Sequence, residues 1–125
     1  MRLIGMDMAL GPFRGMAQFE GYEIESPESP GMDGDTPLHV AAALSDSEPL
    51  AALLPYVTNI DVEGDMGNTP LHVAVIFRRE MAARLLIRHG ARLDVLNDYD
   101  ESPLEKLKAA PEMGALLSEI GTESG

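Results

Sequence analysis

Apolar and polar positions recur along this chain with a period of 33 residues. Thr36-Pro37-Leu38-His39-Val40-Ala41 returns as Thr69-Pro70-Leu71-His72-Val73-Ala74, and Ser102-Pro103-Leu104-Glu105 is a degenerate third copy. A fixed period of this length is typical of one supersecondary unit that stacks on copies of itself. The pattern therefore predicts a repeat array whose function comes from its surfaces.

Each copy predicts an inner and an outer helix. Thr36 and Thr69 suit the N-cap, where a side-chain oxygen accepts from free amides, and the next proline suits the first helical position. Small residues on the inner helix let neighbouring repeats approach closely, and leucines on the outer helix complete the core. The predicted packing residues are Ala41, Ala42, Ala43, Leu50, Leu53 and Leu54, then Leu71, Ala74, Leu85, Leu86 and Ile87. Gly34 and Gly67 precede the threonines at turn positions that are predicted to need positive φ.

The Thr-Pro-Leu-His-x-Ala string at this period resembles the signature of ankyrin repeats, from about Gly31 onward. The resemblance implies an all-α solenoid of stacked helix-turn-helix units with short hairpin-like loops. It implies repeats at about 32–64, 65–97 and 98–120. It also implies that His39 and His72 hydrogen-bond the threonine hydroxyl and nearby backbone, which is a structural role.

The third copy departs from the pattern in ways that predict a terminal cap. Glu105 replaces the histidine, and Lys106 and Lys108 replace small or apolar residues. Terminal repeats need a polar outer face that stops the stack. Ser102 and Glu105 have the spacing of a capping box, so the third inner helix is expected to start there.

Residues 1–30 differ from the repeat domain, which is predicted to span 31–125. They contain Gly5, Gly11, Gly15 and Gly21, two Ser-Pro pairs, and no helical period sustained over two turns. They are nevertheless too apolar for a solvated tail. We expect an irregular segment or degenerate helix that caps the exposed side of the first repeat. The alternative is an arm that reaches to a partner.

The charge is acidic and unevenly distributed. The net charge is -12, and the stretch between Arg14 and Arg78 contains no Lys or Arg. The same stretch holds eleven carboxylates: Glu20, Glu23, Glu25, Glu28, Asp33, Asp35, Asp46, Glu48, Asp61, Glu63 and Asp65. Such a surface repels nucleic acid and anionic membranes, so neither is expected as a partner.

The predictions of localisation and chemistry depend mainly on sequence motifs that the chain lacks. The chain has no cysteine, no apolar core of a secretion signal at its start, and no apolar run of about 20 residues. It also lacks a phosphate loop, a nucleophile elbow and a His-Glu-x-x-His motif. We therefore expect a soluble cytoplasmic protein that is not an enzyme and has no catalytic, cofactor or metal site.

A binding surface is the remaining candidate for function. The resemblance implies that hairpin tips and the exposed sides of inner helices form one concave face. The predicted partner-binding residues are Met32, Asp33, Asp35, Leu44, Asp65, Met66, Asn68, Ile76, Phe77, Asp98, Tyr99 and Glu101, with Tyr56 and His89 at the ends of the outer helices. Ile76 and Phe77 are apolar where folding does not require it, which favours an anchor site ringed by carboxylates. The alternative is that Phe77 packs under the N-terminal segment.

Two functions from different classes fit these features. The first is a non-enzymatic protein-protein interaction module, a monomer or part of a heterocomplex, that binds a partner with a basic patch. A narrower version is a stoichiometric inhibitor or immunity protein against a toxin or nuclease. The second is a structural or oligomerisation subunit that self-associates or scaffolds a larger complex.

Overall fold

The structure is a computed structural model that describes residues 4–124. Within this range it contains no strand and seven α-helices: α1 (Ile4–Arg14), α2 (Pro37–Ala43), α3 (Glu48–Leu53), α4 (Pro70–Ile76), α5 (Glu80–Arg88), α6 (Pro103–Lys108) and α7 (Gly114–Ser124). Short 3₁₀ turns lie at Ala17–Phe19, Met32–Gly34, Leu54–Tyr56, Asp65–Gly67 and Pro111–Met113. The inner helices α2, α4 and α6 pack in succession, and α3, α5 and α7 pack behind them. The predicted all-α stack of helix-turn-helix units is confirmed.

The helix starts of the two regular repeats have the predicted chemistry. Thr36 Oγ1 accepts from the amide of His39 at 3.4 Å, while His39 Nδ1 accepts from the amide of Thr36 at 3.2 Å. Thr69 and His72 make the same reciprocal pair at 3.3 and 3.0 Å. Each box satisfies two amides that a helix start otherwise leaves free. The structural role implied for both histidines is confirmed.

The third helix start is different from the prediction. Ser102 Oγ accepts from the amide of Glu105 at 3.2 Å, as an N-cap should. The Glu105 carboxylate, however, accepts from the hydroxyl of Ser102 at 3.2 Å. The backbone amide of Ser102 is not part of this pair, so the predicted capping box forms only in part.

The histidine of each regular repeat also connects that repeat to the next one. His39 Nε2 donates to the carbonyl of Asn68 at 2.8 Å, and His72 Nε2 donates to the carbonyl of Glu101 at 2.8 Å. Because Nδ1 accepts from a backbone amide, the geometry requires the neutral ring with its proton on Nε2. Burial lowers the pKa of both histidines, although the carbonyl that each ring contacts acts in the opposite direction.

These lowered pKa values predict a loss of stability at mildly acidic pH. Above the unfolded pKa of about 6.5, both states carry neutral rings and stability does not depend on these groups. As pH falls below that value, the unfolded chain takes up protons that the folded chain resists. Stability should then fall by at most about 1.4 kcal/mol per pH unit for each histidine.

Thermal unfolding between pH 7.5 and 5.5 measures this effect. The carboxylates with lowered pKa values, such as Glu101 and Glu119, titrate below this window. We expect a lower melting temperature at pH 5.5 and a shallower pH slope in His72→Gln. An unchanged melting temperature across the window would show that the folded chain accepts these protons freely.

The predicted core is largely correct. Leu50, Leu53, Leu71, Ala74 and Leu86 are fully buried, and Leu54 is buried as well. Ala43, Leu85 and Ile87 are only half-buried, and Leu85 and Ile87 pack against the outside of the buried core. The turn glycines Gly34 and Gly67 have φ of 86° and 71°, as expected, and Asp100 takes a φ of 58° at the equivalent position in the third unit.

The N-terminal segment is more regular than expected. Its first part is α1, which packs on α3 of the first repeat and buries Leu10 and Phe13. The ring of Phe13 meets that of Phe19 edge to face, with centroids 6.5 Å apart. Farther along, the carboxylate of Glu28 accepts from the amides of Thr58 and Asn59 at 2.9 and 2.8 Å. The segment therefore lies against the first repeat along much of its length.

Candidate functional site

A groove of about 450 Å³ lies on the side of the stack that carries the inner helices and hairpin tips. The α2 and α4 helices form its floor, and the 3₁₀ turn at Asp65–Gly67 forms part of its rim. We call it the apolar groove. Its lining residues are Gln18, Asp35, His39, Val40, Ala43, Asp65, Met66, Asn68, Val73, Ile76 and Phe77.

Large apolar side chains in this groove are open to solvent. Phe77 is 53% exposed, Met66 49% and Ile76 38%. Phe77 is the C-cap of α4, and its amide donates to the carbonyl of Val73 at 3.0 Å. The alternative that the N-terminal segment covers Phe77 is wrong, because half of the Phe77 surface is exposed; of the described residues in that segment, only Gln18 lines the groove.

Carboxylates stand on the rim next to this apolar surface. Asp35 and Asp65 both line the groove, and Asp35 Oδ1 accepts from the amide of Asp65 at 2.9 Å. This bond holds the tips of the first two repeats together. The two side chains give the groove a formal charge of about −2, and its lining includes no Lys or Arg.

A second hollow of about 440 Å³ lies between the second and third inner helices. We call it the polar hollow. Its lining residues are Ile76, Arg78, Glu101, Glu105, Lys106 and Ala109. Lys106 Nζ lies 2.8 Å from Glu101 Oε1, and this contact lowers the pKa of Glu101. Arg78 pairs with Glu112 and also donates to the carbonyl of Val75 at 2.7 Å.

The structure brings together only part of the predicted site. Six of the predicted residues line the apolar groove: Asp35, Asp65, Met66, Asn68, Ile76 and Phe77. Tyr99 is close by, since its hydroxyl donates to the sulfur of Met66 at 3.6 Å. Met32, Asp33 and Asp98 are exposed on the hairpin tips, and Glu101 lines the polar hollow.

Three further predicted residues also lie outside the apolar groove. The hydroxyl of Tyr56 lies against Gly5 of α1, where it helps to dock the N-terminal helix. His89 ends α5, contacts the carbonyl of Leu85 at 2.9 Å, and lines a shallow pocket with Leu54. Leu44 is the half-buried C-cap of α2.

Several residues that line the two depressions were not predicted as partner-binding residues, among them Val40, Val73, Arg78, Lys106 and Gln18. Val40 and Val73 carried a usable signal, because they occupy the same place in both copies of the repeated string. Arg78 and Lys106 follow from the packing of α6 beside α4, and Gln18 follows from the path of the N-terminal segment. Contacts between segments that are distant in sequence leave no recognisable pattern in the local sequence.

Among residues 4–124, no His, Cys, Asp and Glu side chains are grouped as a metal site requires.

Stacked helical hairpins with one open concave side define the class of helical repeat solenoids. The chain matches the family model for ankyrin repeats (3 copies) over residues 15–97, which is about two thirds of its length. It therefore belongs to the ankyrin repeat family, whose members typically act as protein-protein interaction modules rather than enzymes. No curated protein matched the chain. No helix in the described part of the chain is long and apolar enough to cross a membrane.

Proposed function

We propose that this chain is a non-enzymatic module that binds a basic protein partner in its apolar groove. The observation that carries the proposal is the exposure of Phe77 beside Asp35 and Asp65. A solvent-exposed aromatic side chain inside a groove is the usual anchor of a protein interface. A rim of charge adds specificity and speeds the encounter.

The charge distribution supports a basic partner. The net charge of -12 includes eleven carboxylates and no Lys or Arg between Arg14 and Arg78. This is the part of the chain that supplies α2, α4 and both regular hairpin tips. Such a field attracts cationic proteins and repels nucleic acid and anionic membranes. We expect the encounter in the cytoplasm, with which a chain without cysteine is compatible.

The narrower proposal is a stoichiometric inhibitor of the immunity-protein kind. Enzymes that act on nucleic acid have basic clefts, because they must bind phosphates. An acidic protein with an apolar anchor can cover such a cleft and compete with the substrate. Charge, size and an open groove support this role, which resembles the general chemistry of nuclease inhibitors.

The replacement of Phe77 by alanine is expected to weaken partner binding by at least about 10-fold, since interface anchors contribute about 2 kcal/mol or more. The measurement is capture of a basic protein from the native host, followed by calorimetry with the purified partner. Leu96→Ala is the matched control, because Leu96 is 54% exposed but does not line the groove. Binding should also weaken as salt is raised.

Two results would contradict the proposal. Equal affinity of Phe77→Ala and wild type would place the binding site elsewhere on the chain. A mass that increases with concentration in the chain alone, and that returns to monomer in Phe77→Ala, would instead favour the structural or self-associating subunit. Loss of activity of the partner at one-to-one stoichiometry is the result that the inhibitor role requires.

A further inference from the structure

The concave face is divided into two compartments that differ in charge. Ile76 lines both the apolar groove and the polar hollow, so it stands on the boundary between them. The apolar groove has Asp35 and Asp65 as its charged groups and contains no Lys or Arg. A ligand that crosses both compartments therefore meets two different electrostatic environments.

The formal charges in the polar hollow cancel, whereas those in the apolar groove are all negative. Arg78 and Lys106 stand opposite Glu101 and Glu105 among its lining residues. Lys106 is already paired with Glu101, and Arg78 with Glu112. Neither sign of ligand charge is strongly attracted there, whereas a cation gains from two carboxylates in the apolar groove.

The N-terminal segment contributes one side chain to the apolar groove. Gln18 is part of the wall and comes from the 3₁₀ turn at Ala17–Phe19, which is anchored by the buried ring of Phe19. The remaining walls include Val40, Ala43 and Val73. A compartment with apolar walls and acidic groups at its rim matches a lysine or arginine side chain, whose stem is apolar and whose head is charged.

We propose, on the basis of the function proposed above, that the apolar groove takes a partner segment in which a lysine or arginine is followed or preceded by a large apolar residue. The basic side chain lies beside Asp35 and Asp65, and the apolar side chain lies over Ile76 and Phe77. The rest of the segment leaves across the polar hollow. Binding is therefore directional, with the basic residue toward the first repeat.

A random peptide library displayed on phage, selected against the whole chain, tests this inference. The enriched sequences should share one basic residue within two or three positions of a Leu, Ile, Met or aromatic residue. A synthetic peptide of the enriched sequence then serves as the probe for titrations. Enrichment of acidic sequences, or of no sequence, would overturn the inference.

The carboxylates can be tested with nearly isosteric changes. Asp35→Asn keeps the oxygen that accepts from the amide of Asp65, and Asn68 occupies the equivalent place in the second repeat. The double variant Asp35→Asn, Asp65→Asn should therefore stay folded and bind the peptide at least about 10-fold more weakly, because charge-assisted hydrogen bonds are lost. The control is Glu20→Gln, Glu23→Gln, which removes equal charge from two exposed side chains of the N-terminal segment. It should change affinity less than about 2-fold, and equal losses in both double variants would overturn the inference.

The orientation can be measured separately. A nitroxide label is attached to the peptide at the end that carries the basic residue. Paramagnetic broadening should then affect the amide signals of Gln18 more than those of Ala109. The opposite pattern would overturn the proposed direction.

The variants also separate this inference from the proposed function. If Phe77→Ala abolishes peptide binding but Asp35→Asn, Asp65→Asn does not weaken it, the groove binds protein segments without the proposed cation. If neither change weakens binding, both the inference and the proposed groove are wrong.

Discussion

The replacement of Leu71 by alanine should lower the free energy of unfolding by about 3 kcal/mol, since buried leucine-to-alanine changes cost about 2–5 kcal/mol. Leu71 is fully buried in α4, the helix that contacts α2, α5 and α6. A cavity there removes packing from both interfaces of the central repeat at once. In a chain of this size the melting temperature should fall by about 10 °C.

Urea denaturation followed by circular dichroism measures this change. Leu96→Ala is the control, because Leu96 lies on the hairpin before α6 with half of its surface exposed. It should change stability by less than about 0.5 kcal/mol. Similar small effects for both variants would mean that α4 is not the packed centre of the stack.

Gly64→Ala should destabilise the chain by about 2–4 kcal/mol, through strain and a broken buried hydrogen bond. A Cβ at this position would lie 2.8 Å from Cε1 and Nε2 of His39, and also against the carboxylate of Asp35. The His39 ring cannot move away easily, because it bonds Thr36 on one side and the carbonyl of Asn68 on the other. Either the ring or the second hairpin must shift, and the contact between the two repeats weakens.

Gly11→Ala is the matched control for this prediction. Gly11 lies in α1, and a Cβ there would meet no atom within 4 Å. Alanine in a helix is favoured over glycine by about 1 kcal/mol, so this control should be neutral or stabilising. A stable Gly64→Ala variant would show that the hairpin has room to relax around His39.

The repeat architecture could be predicted because it depends on local signals that recur. The threonine cap, the proline at the first helical position and the histidine three residues after the cap act within a few residues of one another. The 33-residue period of these signals then predicted that the units stack on copies of themselves. The glycine turns followed for the same reason, since positive φ at Gly34 and Gly67 is a local requirement.

The helix α1 could not be predicted from the same kind of signal. Gly5, Gly11 and Pro12 weaken its local preference for a helix. It is a helix in the structure because Leu10 and Phe13 bury against α3, which is a tertiary effect. The contact of Tyr56 with this helix was missed for the same reason.

The candidate site was predicted in outline and not in detail. Offsets within the repeat correctly placed Phe77, Met66 and Asp65 on one groove. They could not show that Arg78 would pair with Glu112, because that contact joins segments 34 residues apart. The resulting difference in charge between the two compartments is visible only in three dimensions.

Oxidative footprinting of the complex with its purified partner tests the central claim most directly. Hydroxyl radicals react readily with exposed methionine and aromatic side chains, and the chain offers a matched pair. Met66 in the apolar groove is 49% exposed, and Met81 on the outer helix α5 is 50% exposed. We predict that the partner protects Met66 and Phe77 and leaves Met81 unchanged. Protection of Met81 with Met66 unchanged would contradict binding at the concave face.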